Sequence, residues 1–160
     1  MLKYSRKTKV IKLMSFIYRR KIMKKLLVLF ASVLMLAGCG NSEPTKTGTA
    51  KTAADDKGDY ATAEITLKGD KVESITLDQT KEGKSKKELG ADYGMKGTSP
   101  IGKEWDEQVK FLEEYIVKNG LDKVELDEKG YPKNDDVLAG CTINISTLME
   151  AANSAKENAK

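Results

Sequence analysis

Residues 61–77 read ATAEITLKGDKVESITL, and this stretch sets the class of fold that the sequence predicts. In its first half, apolar and polar side chains alternate with the period of two that is typical of a half-buried strand. Residues 69–70, Gly-Asp, suit a two-residue hairpin turn, and residues 72–77 supply the returning strand. The alternation breaks between Val72 and Ile75, a spacing that is compatible with a β-bulge. The sequence therefore predicts an antiparallel hairpin.

An apolar stripe downstream of the hairpin predicts a helix. Its members recur at helical spacing, and they are Trp105, Val109, Leu112 and Ile116. Residues 99–100, Ser-Pro, fit a helix start, and residues 119–120, Asn-Gly, fit its end. Between the hairpin and this helix, residues 78–100 are polar, glycine-rich and without periodicity, so we expect a long loop there.

Shorter elements complete the prediction. Val124 and Leu126 mark one short strand, and Ile143 and Ile145 mark a further candidate strand. Residues 147–150, Thr-Leu-Met-Glu, match a capping box that opens a last helix. This order of elements indicates an α+β fold, in which an antiparallel sheet carries a central and a C-terminal helix.

The charge of the chain is unevenly distributed. Its 28 Lys and Arg and 24 Asp and Glu give a formal charge of +4, but residues 1–38 hold ten of the basic residues and no acidic one. The remaining 18 basic and 24 acidic residues give that part a net charge of −6. Because the phosphate backbone repels an acidic domain, we expect no nucleic-acid binding.

The residue types that many catalytic sites need are missing. The chain has no histidine, no Cys-x-x-Cys pair and no glycine-rich phosphate loop of standard spacing. We therefore expect no metal centre and no catalytic residue. Neighbouring acids do occur, and we interpret them as solvated surface; they are Asp135, Asp136, Glu113 and Glu114.

The N-terminal segment has the features of an export signal. Residues 23–25, Met-Lys-Lys, precede an apolar run over residues 26–37, and Cys39 follows shortly after it. As a helix, these twelve residues would span about 18 Å, which is short of the ~30 Å hydrocarbon core of a bilayer. A permanent membrane-spanning helix is therefore not expected. Translation from Met23, a genuine long basic region over residues 1–22, and a basic amphipathic arm there all fit this pattern.

Residues 36–39, Leu-Ala-Gly-Cys, resemble the bacterial lipobox. This resemblance implies cleavage before Cys39, acylation of its thiol, and anchoring in membrane lipid on the extracytoplasmic face of the cell membrane. The next twenty residues contain no large apolar side chain and predict a flexible spacer. The expected organisation is an export signal over residues 1–38, a lipidated cysteine and tether over residues 39–59, and one domain over residues 60–160.

Cys141 is the only other cysteine, so it has no intrachain partner once Cys39 is acylated. It lies in an apolar run, and the chain offers no histidine to activate it. We interpret Cys141 as a small buried side chain and not as a nucleophile.

A seven-residue motif, Asp-Val-Leu-Ala-Gly-Cys-Thr, ends at Thr142 and is the most informative feature of the domain. It resembles the flavin-attachment motif of the small FMN-binding domain family, Asp-x-x-(Ser/Thr)-Gly-Ala-Thr. Asp136, Gly140 and Thr142 match this motif. The chain departs from it at Ala139, where Ser or Thr is usual, and at Cys141, where Ala is usual.

The resemblance implies a covalently bound cofactor. In this family a separate FMN transferase, using FAD, joins the FMN phosphate to the hydroxyl of the last threonine as a phosphodiester. That threonine is Thr142 here, and Asp136, Gly140 and Cys141 would lie beside the cofactor. Gly140 permits a close approach of other groups to the backbone just before the attachment point.

The resemblance extends over about residues 60–157. It includes residues 92–96, Asp-Tyr-Gly-Met-Lys, and the start of the predicted helix near Trp105. Tyr93, Met95 and Trp105 are candidates to pack on the isoalloxazine ring, because flat aromatic and soft thioether groups suit a flavin face. For Trp105, which lies on the helical stripe, packing in the core is the alternative.

The family includes flavin-bearing subunits of sodium-pumping NADH:quinone and ferredoxin:NAD oxidoreductases, and extracellular flavin lipoproteins. The resemblance thus implies a surface lipoprotein that passes electrons from a membrane redox donor to an extracellular acceptor, without catalytic activity of its own. Because of Ala139 and Cys141, a flavin-free or reversibly binding surface module of the same fold is the alternative. From the residues alone, a plain turn and strand with Thr142 facing outward also fits the motif.

Overall fold

The structure is a computed structural model and describes residues 43–160. The predicted export signal over residues 1–38, the alternative start at Met23 and the lipidation site at Cys39 lie outside the described residues. Among the residues that it does describe, no helix combines the length and the apolar character needed to cross a membrane.

Four antiparallel strands form one sheet, in the order β1-β2-β3-β4. The strands are β1 (Thr45–Lys51), β2 (Ala61–Lys68), β3 (Lys71–Lys81) and β4 (Lys84–Ser85). The second and third strands are the predicted hairpin, which is confirmed. Their register shifts after Thr66, so that Leu67 pairs with Val72, and the irregular spacing in the sequence does mark a β-bulge.

Strand β1 corrects the prediction of a flexible tether over residues 39–59. It pairs along its whole length with β2, from Thr45 opposite Lys68 to Lys51 opposite Thr62. Most of its side chains are exposed and its buried residue is Gly48, so the strand forms without the large apolar residues whose absence suggested a spacer. The ordered domain therefore begins before residue 60.

Four helices complete the described part of the chain. They are α1 (Lys86–Leu89), α2 (Trp105–Asn119), α3 (Asp135–Leu138) and α4 (Ser146–Asn158), with 3-10 turns at Gly90–Tyr93 and Leu121–Lys123. The long helix α2 packs on β3, while α4 packs mainly on β1 and β2. Their apolar faces share one core with the inward side chains of the hairpin. The α+β class, with a central and a C-terminal helix on an antiparallel sheet, is confirmed.

Both long helices begin at other residues than the sequence predicted. Helix α2 starts at Trp105 and not at residues 99–100, because Glu104 and Glu107 form a reciprocal capping box there. The Glu104 N–H donates to the Glu107 carboxylate at 2.8 Å. Helix α4 starts at Ser146 without a side-chain cap, so the capping box predicted at residues 147–150 is wrong.

The segments between these helices also differ from the prediction. The loop expected over residues 78–100 is partly ordered, since it contains the end of β3, the short β4 and α1. The strand predicted at Val124 and Leu126 is reduced to one bridge between Leu126 and Pro132. The strand predicted at Ile143 and Ile145 does not form, although the Ile145 N–H donates to the Gly130 carbonyl at 2.9 Å.

Gly48 lies where the end of α4 crosses β1. A Cβ at this position would collide with the backbone of Ala155 and Ala159. Near the same crossing, the side-chain amide of Asn158 donates to the Thr49 carbonyl at 3.0 Å. The C-terminal end of α4 therefore covers part of the edge strand, and it does so through a close approach that only glycine allows.

We expect Gly48→Ala to lower the free energy of unfolding by about 1–3 kcal/mol, because β1 or α4 must shift to make room for the methyl group. Gly97→Ala is the matched control, since a Cβ there meets no atom within 4 Å. Urea unfolding of the two variants and the wild type measures the difference. Equal stability of all three proteins would contradict the packing of β1 and would favour the tether.

Candidate functional site

A cavity of about 530 Å³ is lined by side chains from β3, α1, α2 and the segment that leads into α4. Of the residues that the motif resemblance singled out, Tyr93, Met95 and Thr142 lie in its wall. Trp105, the candidate on the helical stripe, lies in the same wall. The fold thus brings together side chains that are far apart in the sequence.

Thr142 is held on the cavity wall by the side chain of Gln108. The Gln108 Oε1 accepts from the Thr142 N–H at 2.9 Å and from the Thr142 hydroxyl at 3.2 Å. Thr142 itself is half-buried, while Gln108 is completely buried. Since the hydroxyl proton points to Gln108, the lone pairs of the Thr142 oxygen remain available on other sides.

The other end of the Gln108 amide fixes its orientation. Its Nε2 donates to the Ser99 hydroxyl at 3.1 Å and to the Lys103 carbonyl at 3.2 Å. A carbonyl only accepts and the Thr142 N–H only donates, so exchanging the oxygen and nitrogen of this amide would break both bonds. Gln108 therefore ties the loop before α2 to the segment that carries Thr142.

The chain reaches Thr142 through a one-turn helix. Val137 of α3 is completely buried, and its carbonyl accepts from the Cys141 N–H at 2.8 Å. Gly140 packs against the ring of Phe111, and a Cβ at residue 140 would collide with that ring. Gly140 thus lets this segment approach α2 closely, which is what brings Thr142 to Gln108.

Three predicted cofactor-binding residues are not part of the cavity wall. Asp136 is exposed in the first turn of α3, and Gly140 faces Phe111. Cys141 is completely buried in the core, where burial raises the pKa of its thiol to about 11. A thiol in this state is protonated near neutral pH, in agreement with the interpretation of Cys141 as a buried side chain and not a nucleophile.

The apolar part of the wall is formed by Tyr93, Met95 and Trp105. Trp105 is only 2% exposed, so it belongs to the core and also presents a small part of its surface to the cavity. Tyr93 and Met95 are half-buried and pack against the same core. Trp105 is therefore a core residue that also reaches the cavity wall, and its packing on a flavin ring stays a prediction.

The polar part of the wall includes Gln79, Lys86 and Thr147. The Lys86 Nζ donates to the Gln79 Oε1 at 2.7 Å. Burial lowers the pKa of Lys86 below its ordinary value, and the negative charge of Asp59 partly opposes this effect. Thr147, in the first turn of α4, accepts a long hydrogen bond of 3.4 Å from the Gln79 amide.

Of the neighbouring acids on α2, Glu114 is exposed as expected, but Glu113 is not solvated surface. Glu113 is largely buried, accepts from the Leu77 N–H at 2.5 Å and pairs with Lys87 at 2.5 Å. It therefore joins α2 to β3 and α1. Asp135 and Asp136 are exposed, as expected. Over residues 43–160, no group of three or more His, Cys, Asp or Glu side chains is arranged to hold a metal ion.

Sequence reasoning did not find Gln108 or Lys86. The sequence does mark Gln108, because this polar residue lies on the apolar stripe of α2, three residues after Trp105 and four before Leu112. A polar residue on a core-facing stripe needs hydrogen-bond partners, and that need points to a specific contact. Lys86 follows Lys84 and precedes Lys87, so nothing in the sequence separates it from ordinary surface lysines.

No protein-family model matches this chain, and no curated protein matches it either. Among solved structures, the chain is similar to a protein from Clostridium thermocellum whose solution NMR structure is known. The two share 22% identity with a TM-score of 0.47, over 74% of this chain and 91% of that one.

We expect Gln108→Met to lower the free energy of unfolding by about 2–4 kcal/mol, because it leaves the Thr142 N–H and the Lys103 carbonyl without their partner. Gln79→Met, which removes a half-buried amide from the same cavity, is the control and should cost less than half as much. Denaturant unfolding measures both losses. Equal losses in the two variants would contradict a special role for the Gln108 amide.

Proposed function

We propose that this protein is a surface lipoprotein of the small FMN-binding type, which carries FMN covalently on Thr142 and transfers electrons outside the cytoplasm. One observation carries the proposal. The hydroxyl of Thr142, the last residue of the flavin-attachment-like motif, lies on the wall of a cavity that Tyr93, Met95 and Trp105 also line.

The residues of the cavity fit a flavin. Its volume of about 530 Å³ is in the range of about 300–1,000 Å³ that is usual for sites of small molecules. Two aromatic rings and a thioether suit the faces of a flat, polarizable ring system. Gln79, Asn144 and Thr147 add hydrogen-bonding groups, which a flavin requires along the edge of its pyrimidine ring. Most sites for cofactors combine apolar walls with few polar groups in this way.

Each of the named residues has a role in this proposal. Thr142 supplies the oxygen that bonds to the phosphate, and Gln108 orients that oxygen by accepting a hydrogen bond from the hydroxyl before attachment. Tyr93, Met95 and Trp105 hold the ring system and exclude water from it. FMN, once bound, supplies reversible redox chemistry, and the protein holds it and tunes its potential.

The two departures from the family motif do not touch the cavity. Ala139 is exposed at the end of α3 and makes no part of the wall. Cys141 is completely buried behind it, where its thiol replaces the smaller side chain of alanine inside the core. The side chain of neither residue hydrogen-bonds to Thr142 or to Gln108. This supports attachment at Thr142 over a flavin-free module of the same fold.

The proposed anchor has a short reach. If Cys39 is acylated, five residues lie between it and Thr45, the first residue of β1, so six Cα–Cα steps join the two. A fully extended chain of this length covers about 20 Å at most. The domain would thus stay close to the membrane, where a membrane-bound electron donor can reach it, and an extracellular acceptor would have to approach the domain.

The test is the mass and visible absorbance of the purified protein after co-expression with an FMN transferase. We expect the wild type to be yellow and to gain the mass of one FMN less one water. Thr142→Ala should gain no mass, since it lacks the hydroxyl oxygen to which the phosphate would bond. Thr142→Ser, which retains the oxygen, should still be modified to a measurable extent.

Thr98→Ala is the matched control, because Thr98 also lines the cavity and the proposal assigns it no contact with the flavin. It should carry FMN as the wild type does. An unmodified wild type, under conditions that modify a known FMN acceptor, would contradict covalent attachment. Colour that persists in Thr142→Ala and is lost on denaturation would instead identify reversible binding, the alternative function.

A further inference from the structure

Lys86 places a positive charge in the cavity wall beside the aromatic residues. Its Nζ lies 5.2 Å from the ring centroid of Tyr93 and also 5.2 Å from that of Trp105. The bond to the Gln79 Oε1, at 2.7 Å, keeps the ammonium group in this position. The charge is thus held next to the two aromatic rings that, in the proposed function, contact the flavin. Lys86 is on α1, whereas Thr142 is in the segment before α4.

This charge has no acidic partner at contact distance within residues 43–160. The ion pairs of this region are Lys87 with Glu113 and Lys123 with Asp122. Lys86 is half-buried, and burial lowers the pKa of its ammonium group. The carboxylates of Asp59, Asp78 and Asp55 act on this charge without forming an ion pair and offset the effect of burial only in part. An anionic group in the cavity would therefore stabilise the charge further.

We propose that Lys86 makes the cavity prefer the reduced form of its flavin, and so raises the reduction potential of the protein. The inference rests on the proposed function and adds a residue that tunes it. When two electrons and one proton are taken up, the flavin gains one negative charge. A fixed positive charge beside the ring favours that state over the oxidised, neutral ring, so Lys86 shifts the equilibrium toward reduction.

The experiment is an anaerobic dithionite titration of the flavin-loaded protein against a reference dye. We expect Lys86→Met to shift the midpoint potential to a more negative value. A tenfold weaker preference for the reduced form corresponds to about 30 mV for a two-electron couple. Lys86→Arg retains the charge and should stay near the wild-type potential. Methionine retains most of the apolar stem of lysine, and thermal unfolding verifies that the variant is folded.

Lys84→Met is the matched control, because it removes the same charge from an exposed position two residues away that does not line the cavity. Solvent and salt screen a charge at such a position, so its potential should equal that of the wild type. Equal shifts in Lys84→Met and Lys86→Met would overturn the proposal, and so would an unchanged potential in Lys86→Met.

Binding of free FMN separates this inference from the proposed function. If the wild type carries no covalent FMN, the proposed attachment fails, and the unloaded proteins are titrated with oxidised and with dithionite-reduced FMN. We then expect Lys86→Met to lose about tenfold more affinity for the reduced form than for the oxidised form. Equal losses for both forms would overturn the role of Lys86. A wild type that binds neither form would overturn the inference and the proposed function together.

Discussion

The buried amide of Gln108 is the interaction on which the site depends. It bonds at one end to Thr142 and at the other end to Ser99 and Lys103, so it joins three segments of the chain inside the core. The segment around Thr142 belongs to no strand or helix, and side-chain bonds of this kind determine its path. Because Gln108 stands on α2, the position of Thr142 follows the position of that helix.

The sheet and the two long helices supply the rigid frame around this bond. Strand β3 carries Gln79 into the cavity, and the pairing of Glu113 with Lys87 joins α2 to the short helix that carries Lys86. Cavity residues on packed helices and strands keep their distances from one another better than residues on free loops do.

The motif residues outside the cavity wall have a structural role. Gly140 packs against Phe111 and Cys141 is buried, so both residues hold this segment against the core and leave Thr142 at the cavity wall.

Periodicity in the sequence was sufficient for the hairpin and for the stripe of α2, because both elements bury one face. It failed for β1, which is an edge strand stabilised by backbone pairing and by the close approach of α4 at Gly48. The start of α2 was misplaced for another reason. The Ser-Pro pair at residues 99–100 predicted the start, but the capping box at Glu104 holds the first turn. Local signals compete at helix ends, and tertiary contacts select among them.

The motif resemblance singled out Thr142, Tyr93 and Met95 as site residues, and the structure brings these three side chains to one cavity. Gln108 and Lys86 needed the structure, because their roles depend on residues far away in the sequence. The central claim is that this cavity is the flavin site. Proton–proton NOEs in the flavin-loaded protein test it most directly, because they report which protein side chains lie close to the flavin ring. We predict NOEs from the flavin ring protons to Tyr93 and Trp105. A loaded protein whose flavin protons show NOEs only to residues outside this cavity would contradict the account.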